Sequence, residues 1–264
     1  MKTLNGQHVL LTGATGGLGH AIARALAARG AAVVLTGRRA EVLEPLAAEI
    51  GGVALDADLS DRVALERLLA EAGRVDVLVA NAALPASGNL ADYSVEQIDR
   101  ALEVNLRAPV VLAKLVSAGM IERGRGHLVF ISSISGKVPS PGSSLYNATK
   151  FGLRGFAGAL REEYRPHGIG VSTVFPGFIS GAGMFADTGV KLPPGVGTKT
   201  PEDVAAGVIS AIEDDRGEVD VAPIPMRLGA KLAGVAPDAS AKVARLLGGD
   251  KIAAEMIEAQ RERR

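Results

Sequence analysis

A tyrosine and a lysine four residues apart, Tyr146 and Lys150, and a serine thirteen residues before the tyrosine, Ser133, are the residues of this chain best placed to move a proton. If residues 144 to 163 are helical, the i, i+4 spacing sets the phenol and the ammonium on one face. A free phenol has a pKa of about 10, and a cation beside it favours the phenolate, so the lysine makes the tyrosine a usable proton donor and acceptor near neutrality. A hydroxyl reaching the same point can hold a substrate oxygen. Taken alone, the pair also reads as a surface dyad with an unrelated serine, and the rest of the chain has to supply the context.

That context begins near the N-terminus. His8-Val9-Leu10-Leu11 is a short run rich in strand formers that enters Thr12-Gly13-Ala14-Thr15-Gly16-Gly17-Leu18-Gly19 ahead of an alanine-rich helix at residues 21–28. Strand, glycine turn and helix in this order let an anion approach the main chain, and the free amides of the helix N-terminus favour it. The expected ligand is a dinucleotide pyrophosphate. A P-loop is excluded, because no Gly-Lys-Ser or Gly-Lys-Thr follows the turn.

Together these residues resemble the short-chain dehydrogenase/reductase family over about residues 4–220. The family's Thr-Gly-x-x-x-Gly-x-Gly turn reads Thr12, Gly13, Gly17 and Gly19, and its catalytic asparagine, serine, tyrosine and lysine fall on Asn105, Ser133, Tyr146 and Lys150. Ser132 and Ser135 lie close by, but the thirteen-residue separation selects Ser133. The resemblance implies hydride transfer between a nicotinamide and a carbonyl or secondary alcohol. Tyr146 would give the proton, Ser133 hold the oxygen, Lys150 lower the tyrosine's pKa and bond the ribose, and Asn105 position a water leading to solvent. Cofactor contacts are implied at Gly13, Thr15, Gly16, Gly17, Leu18, Gly19, Arg38, Arg39, Asp58, Leu59, Asn81, Ala82, Tyr146, Lys150, Pro176, Gly177 and Ile179.

The chain departs from the family pattern twice. Asn-Asn-Ala-Gly becomes Ala80-Asn81-Ala82-Ala83, and Pro-Gly-x-x-x-Thr becomes Pro176-Gly177-Phe178-Ile179-Ser180-Gly181, where Ser180 or the main chain of Ile179 would serve in place of the threonine. At the end of the second strand, Thr36-Gly37-Arg38-Arg39 offers no carboxylate for a ribose 2′-hydroxyl and two guanidiniums for a 2′-phosphate. NADP(H) is therefore favoured over NAD(H), the alternative being that both arginines, Arg39 above all, merely begin the next helix in solvent. Asp58 reads either as the family's adenine contact or as a helix cap.

The fold class is α/β, a Rossmann-type doubly wound parallel sheet in a single domain with a helical C-terminal extension. Short apolar runs at residues 33–36, 52–55, 75–79, 127–131 and 170–175 alternate with helical patterns, as in a parallel sheet covered on both faces, and residues 218–223 stand where the family's last strand falls. Ligands in such sheets sit beyond the strands' carboxyl ends, where Gly13, Asp58, Asn81, Ser133 and Pro176 all fall. The core is expected at about 4–221 and a substrate lid at about 183–199, where Met184, Phe185, Val190 and Leu192 alternate with glycine and proline, although these side chains could equally tack the loop to the core. Thr200-Pro201-Glu202-Asp203 reads as a helix start. The extension, about 222–264, has helical patterns at 239–247 and 252–264 and could pack on the cleft, pair subunits or touch a membrane surface.

With 264 residues and 47% hydrophobic content the chain suits one α/β unit. Its 29 basic and 29 acidic residues balance, which gives no electrostatic case for nucleic acid, and it has no cysteine, so disulfides and thiolate sites are excluded. Four scattered histidines lack metal-ligand spacing, and no metal site is expected. No membrane span or leader is expected, since apolar runs break before about twenty residues, and a cytoplasmic location and a homo-oligomer, dimer or tetramer, are. Two competing readings are a non-catalytic NADP(H) sensor or scaffold on the same fold, and a sugar-nucleotide epimerase or dehydratase. The latter fits Gly13, Gly16 and Gly19 but needs a substrate domain for which the chain has no length.

Overall fold

The computed structural model describes residues 3–190, 192, 196–246 and 248–260. Lys191 and residues 193–195 of the expected lid, and Leu247 and residues 261–264 of the expected tail helices, lie outside the described residues. The apolar runs form seven strands: β1 (His8–Thr12), β2 (Ala32–Gly37), β3 (Val53–Asp56), β4 (Val77–Ala80), β5 (Gly126–Ile131), β6 (Ile169–Pro176) and β7 (Glu218–Val221). They make one sheet in the order β3-β2-β1-β4-β5-β6-β7, with every neighbouring pair parallel.

Successive side chains point to opposite faces of the sheet, and both faces are covered, so the strands read as unbroken apolar runs. Val9 and Leu11, Val77 and Val79, and Val129 and Ile131 pack against α1 (Gly17–Ala27), α2 (Ala40–Ile50) and α7 (Pro201–Glu213) through Ile22, Leu26, Leu43, Val204 and Val208. Leu10, Leu78, Leu128 and Phe130 point the other way. They meet α3 (Arg62–Ala72), α5 (Ala108–Glu122) and α6 (Ser144–Tyr164) through Leu65, Leu112, Met120, Leu153 and Leu160. Each large side chain fully buried in this way contributes about 1.5–3 kcal/mol relative to exposure.

Before α5 lie α4 (Val95–Leu102), which starts in a capping box of Ser94 and Gln97, and a π-helical turn, Glu103–Arg107, that carries Asn105. The three run on as one helix of 28 residues, Val95–Glu122, long and apolar enough by length and composition to cross a membrane. That differs from the sequence expectation of short broken runs. Half of its apolar window is buried inside the fold, and α5 packs on the sheet beside β4 and β5. The Thr200 capping box with Asp203 opens α7. The tail forms α8 (Ile224–Val235), α9 (Pro237–Leu246) and α10 (Gly249–Gln260), of which α8 had no counterpart in the sequence reading.

The chain winds outward from β1 to β2 and β3, then returns to β4 on the other side of β1, which opens a crevice at the carboxyl ends of β1 and β4. The opposite end of those strands is held by Asp76. Its buried carboxylate accepts from the His8 amide at 3.1 Å and from Arg74 Nε at 2.9 Å, with Arg123 Nε at 3.5 Å. Burial alone would raise this carboxyl's pKa, but the Arg74 and His8 hydrogen bonds outweigh it and hold the pKa below the usual range. A depressed folded-state pKa stabilises above the unfolded value of about 4, and the contribution is lost as pH falls through the folded value. Asp76→Asn should cost about 3 kcal/mol at pH 7 in urea unfolding. The difference from wild type should shrink below about pH 4.

Candidate active site

A cavity of about 950 Å³ opens beyond the carboxyl ends of the strands, lined by the glycine turn, the end of β2, Asp58, Asn81, Ser133, Tyr146, Lys150, the segment after β6 and part of α10. The turn owes its form to close contacts. At Gly13, φ is +66°, and a Cβ there would lie 2.6 Å from Ala82 Cα. At Gly19 a Cβ would lie 2.4 Å from the Gly13 carbonyl oxygen, whereas at Gly16 it would meet nothing nearer than 3.7 Å. The helix is thus pressed onto the turn while Gly16 faces open space. Gly16 caps α1 without a side-chain hydrogen bond, and the first turn carries no acidic residue, so the helix's leading amides remain available to an anion.

Asn81 locks the turn to the neighbouring strand. Its Nδ2 donates to the Thr12 and Gly13 carbonyls, both at 3.1 Å, and Thr12 Oγ1 accepts from the amides of Asn81 and Ala82 at 3.0 and 3.1 Å. The asparagine retained from the family pattern therefore braces the glycine turn at the switch point. Ala82 lines the cavity beside it, and Ala80, where the family has its first asparagine, is buried in the core.

The arginines divide their work differently from the sequence alternatives. Arg39 does begin α2 as its N-cap residue, but its Nη2 also donates to the Thr15 carbonyl at 2.8 Å, tying the end of β2 to the glycine turn. Arg38 is exposed at the cavity and makes no hydrogen bond or ion pair among the described residues. The helix-cap reading of Asp58 is corrected: the N-cap of α3 is Asp61, which accepts from Val63 N at 2.9 Å. Asp58 Oδ1 instead accepts from the amide and hydroxyl of Ser60, at 3.0 and 2.7 Å, and these bonds, the amide's first, keep its carboxyl below the usual range. Asp58 and the buried Leu59 both line the cavity.

Ser133, Tyr146 and Lys150 meet at the end of β5. Ser133 Oγ accepts from Ser135 N at 3.1 Å and donates to the Pro176 carbonyl at 3.4 Å, beside the Tyr146 phenol. Lys150, only 2% exposed, sits with Nζ 5.6 Å from the Tyr146 ring centroid and donates to the Ile131 carbonyl at 3.0 Å. Burial pushes the Tyr146 phenol up to about 12, with the neighbouring Ser133 hydroxyl opposing it, and brings the Lys150 ammonium down to about 8. In this environment desolvation outweighs any phenolate stabilisation by the lysine, opposite in sign to the expectation from spacing, and the phenol is held in its proton-bearing form.

Two residues that spacing alone left unnoticed hold this arrangement. A Cβ at Gly136 would lie 2.5 Å from Ser132 Oγ and 2.8 Å from the Lys150 carbonyl oxygen, so only glycine lets the Ser133 turn lie against α6. Ser132 is spent there, donating to that carbonyl at 3.1 Å. Buried Asn147 clamps the following segment, donating to the carbonyls of Ser135 and Val138 at 2.5 and 3.0 Å and accepting from Ser140 N at 3.2 Å. Asn147 follows Tyr146 directly, and a polar side chain on the inward face of a helix was the available signal.

The Asn105 side chain accepts from the Leu84 amide at 2.6 Å and donates to its carbonyl at 3.0 Å, which fixes a cavity-lining residue and leaves a second N–H and a second lone pair outside these bonds. One expected role does not match the geometry. The Ser180 hydroxyl and amide both donate to the Lys199 carbonyl, at 3.2 and 2.9 Å, and the side chain does not reach the cavity. Ile179 pairs with Lys199 as an isolated bridge, and the Lys199 amide bonds Phe178 O on one side and its carbonyl Ser180 N on the other. By strand alternation the Ile179 N–H and C=O face away from Lys199. Pro176, Gly177 and Ile179 line the cavity. Of the lid residues, Met184 and Phe185 do so, the Phe185 ring lying 4.6 Å from that of Phe178 at a tilt of 44°, whereas Val190 and Leu192 do not. Among the described residues no group of three histidine, aspartate or glutamate side chains could hold a metal ion.

The parallel sheet, the glycine turn at its switch point and the serine–tyrosine–lysine group at one cavity define a nucleotide-dependent oxidoreductase of the short-chain type. Comparison with known proteins agrees: the short chain dehydrogenase family profile matches residues 7–191, and the chain belongs to that family. It is 38% identical over 235 residues to the ketoacyl reductase HetN of Nostoc sp., covering 86% of this chain and 82% of that protein. It is 36% identical over 251 residues to dehydrogenase/reductase SDR family member 7B of Xenopus laevis, covering 87% and 78%. Among solved structures, one described as a putative betaketoacyl-ACP reductase superposes with a TM-score of 0.75 at 31% identity, over 83% of this chain and 98% of that one. The short-chain dehydrogenase from Sphingobium yanoikuyae in complex with NADPH superposes with a TM-score of 0.76 at 27% identity, over 90% and 95%.

Asn147→Ala should release residues 135–140 from α6. The expected outcome is a loss of about 2–3 kcal/mol in urea unfolding, from several buried hydrogen bonds removed at once, together with new protease cleavage between Val138 and Ser143.

Proposed function

We propose that the chain reduces an apolar ketone or aldehyde, drawing on NADPH in preference to NADH, with Tyr146 as the general acid. The observation that carries this reading is the convergence of Ser133, Tyr146 and Lys150 in one cavity with the glycine turn and an exposed Arg38. The residues present fit a dinucleotide. The α1 amides are uncapped, Gly16 faces open space, and Asp58 keeps Oδ2 outside its bonds to Ser60. Arg38 offers a fork of donors suited to a 2′-phosphate, and no carboxylate stands at the end of β2 to repel one.

Nicotinamide, when bound, supplies the hydride that a carbonyl carbon accepts. The chain's own residues handle the oxygen. The Tyr146 phenol, held in its protonated form, gives its proton to the oxygen as negative charge develops there. Ser133 holds the same oxygen with its hydroxyl. The Lys150 ammonium offsets the charge left on Tyr146, and its neighbour Ile131 O fixes it in place. Asn105 contributes by fixing Leu84 in the cavity wall.

Met184, Phe185, Val196 and Met226 make the substrate side of the cavity predominantly apolar. Relatives named as ketoacyl reductases make 3-oxoacyl thioesters the first substrates to try. A homo-oligomer and a cytoplasmic location belong to the same reading and rest on the family resemblance alone.

The test is fluorescence titration with NADPH and NADH, followed by NADPH oxidation across a panel of 3-oxoacyl thioesters, alkyl ketones and aldehydes. Tighter NADPH binding and turnover of a panel member are expected. Cofactor binding without turnover of any carbonyl or alcohol would favour a sensor and contradict the proposal. Arg38→Ala should weaken NADPH by about 10- to 100-fold, the worth of one or two charge-assisted hydrogen bonds, and leave NADH nearly unchanged. For pH, the Lys150 value of about 8 sets the window: the ammonium is present below it and lost above it. Reduction should therefore hold steady near neutrality and fall as pH rises through about 8.

A further inference from the structure

The tail turns an apolar face outward. In α8, Ile224, Leu228, Leu232 and Val235 are exposed, Ile224 to 69% and Val235 to 87%. At about 100° per residue these four fall within about 80° of arc. Met226 and Ala230 lie on the opposite side of the helix, where they pack with Ile134 and Phe175. α9 packs against α8 and adds two more exposed side chains, Val243 and Leu246, the latter 86% exposed. Exposed cations border these residues, Arg227 and Lys231 on α8 and Lys242 and Arg245 on α9. Residues 224–246 contain those four cations and a single acid, Asp238, whereas the whole chain balances 29 basic against 29 acidic residues. A soluble monomer rarely keeps large apolar side chains in the open on two adjoining helices, and such a patch marks an interaction surface.

We infer that α8 and α9 dock this face on an anionic lipid surface. The apolar side chains of an amphipathic helix enter the boundary between headgroups and acyl chains. The bordering lysines and arginines lay their aliphatic stems along the same boundary and carry their charges out to lipid phosphates. Charge separates this occupant from a second copy of the chain. A two-fold interface would lay the patch on itself and bring two sets of four cations together. Met226, on the packed side of α8, lines the cavity, so docking sets one wall of the cleft next to the bilayer. The attachment is peripheral, with both helices lying in the plane of the interface.

The experiment is cosedimentation of the full-length protein with vesicles of phosphatidylcholine alone and of phosphatidylcholine mixed equally with phosphatidylglycerol. Binding to the mixed vesicles should exceed binding to the neutral ones by about tenfold or more, as several cations near an anionic surface imply, and should fall in about 0.5 M NaCl. Two double variants separate the contributions. Leu228→Glu with Leu232→Glu breaks the apolar stripe, and Arg227→Gln with Lys231→Gln removes the cations beside it. Each should weaken binding to the mixed vesicles by about tenfold at an unchanged thermal midpoint and NADPH affinity, since all four side chains are exposed and none lines the cavity. Equal binding to both kinds of vesicle, or binding that either variant leaves unchanged, would overturn the inference. No binding to the mixed vesicles would also overturn it and leave the face to a protein partner. Light scattering that shows an oligomer in wild type and its dissociation in the leucine variant would do the same, because the face would then join subunits.

Discussion

A lysine ammonium buried at the end of a strand is the constraint on which the site depends. Lys150 reaches across from α6 to the last carbonyl of β5, and nothing but a close approach of helix and strand lets it do so. Gly136 makes that approach sterically open, Ser132 bonds the helix backbone at the same point, and Asn147 holds the segment that follows. The same protein mass that encloses the lysine leaves Tyr146 only partly exposed. Burial thus lowers one pKa and raises the other, leaving a protonated phenol beside a cation whose charge is lost at mildly alkaline pH. Fold and chemistry meet in this contact, because a helix displaced from β5 would part Tyr146 from Ser133 and rehydrate both titratable groups.

The second half of the cavity is organised by the sheet's winding order. Reversal of the chain between β3 and β4 places the β1 and β4 ends side by side, and Asn81 with Thr12 ties them together. Gly13 must be glycine because Ala82 occupies the space a side chain would need. The brace sets the glycine turn rigidly before any ligand arrives, which suits recognition of an anion by main-chain amides.

Much of this was legible in the sequence, and the parts that were not share a cause. The strands could be read because a parallel sheet covered on both faces demands unbroken apolar runs, and the Tyr146–Lys150 face could be read because helical spacing fixes it. Partners supplied by distant segments could not. Ser180 is claimed by Lys199, and Asn105 and Arg39 each bond a main-chain group, of Leu84 and of Thr15, that the fold brings in from a distant segment. Asp58 was open to misreading as a cap because Asp61, three residues on, has the same chemistry and is the one that faces the helix. The tail's contribution was beyond local patterning altogether, since the packing of α10 beside Gly142 depends on a path that no spacing records.

The central claim is that Tyr146, held protonated by burial, is the acid of a carbonyl reduction. The most direct test is single-turnover NADPH oxidation by Tyr146→Phe against wild type on a 3-oxoacyl thioester, with NADPH affinity measured alongside. The account predicts a rate lower by about 10²–10⁴, the usual worth of positioned proton transfer, at unchanged NADPH affinity. A variant that keeps most of the wild-type rate would contradict it.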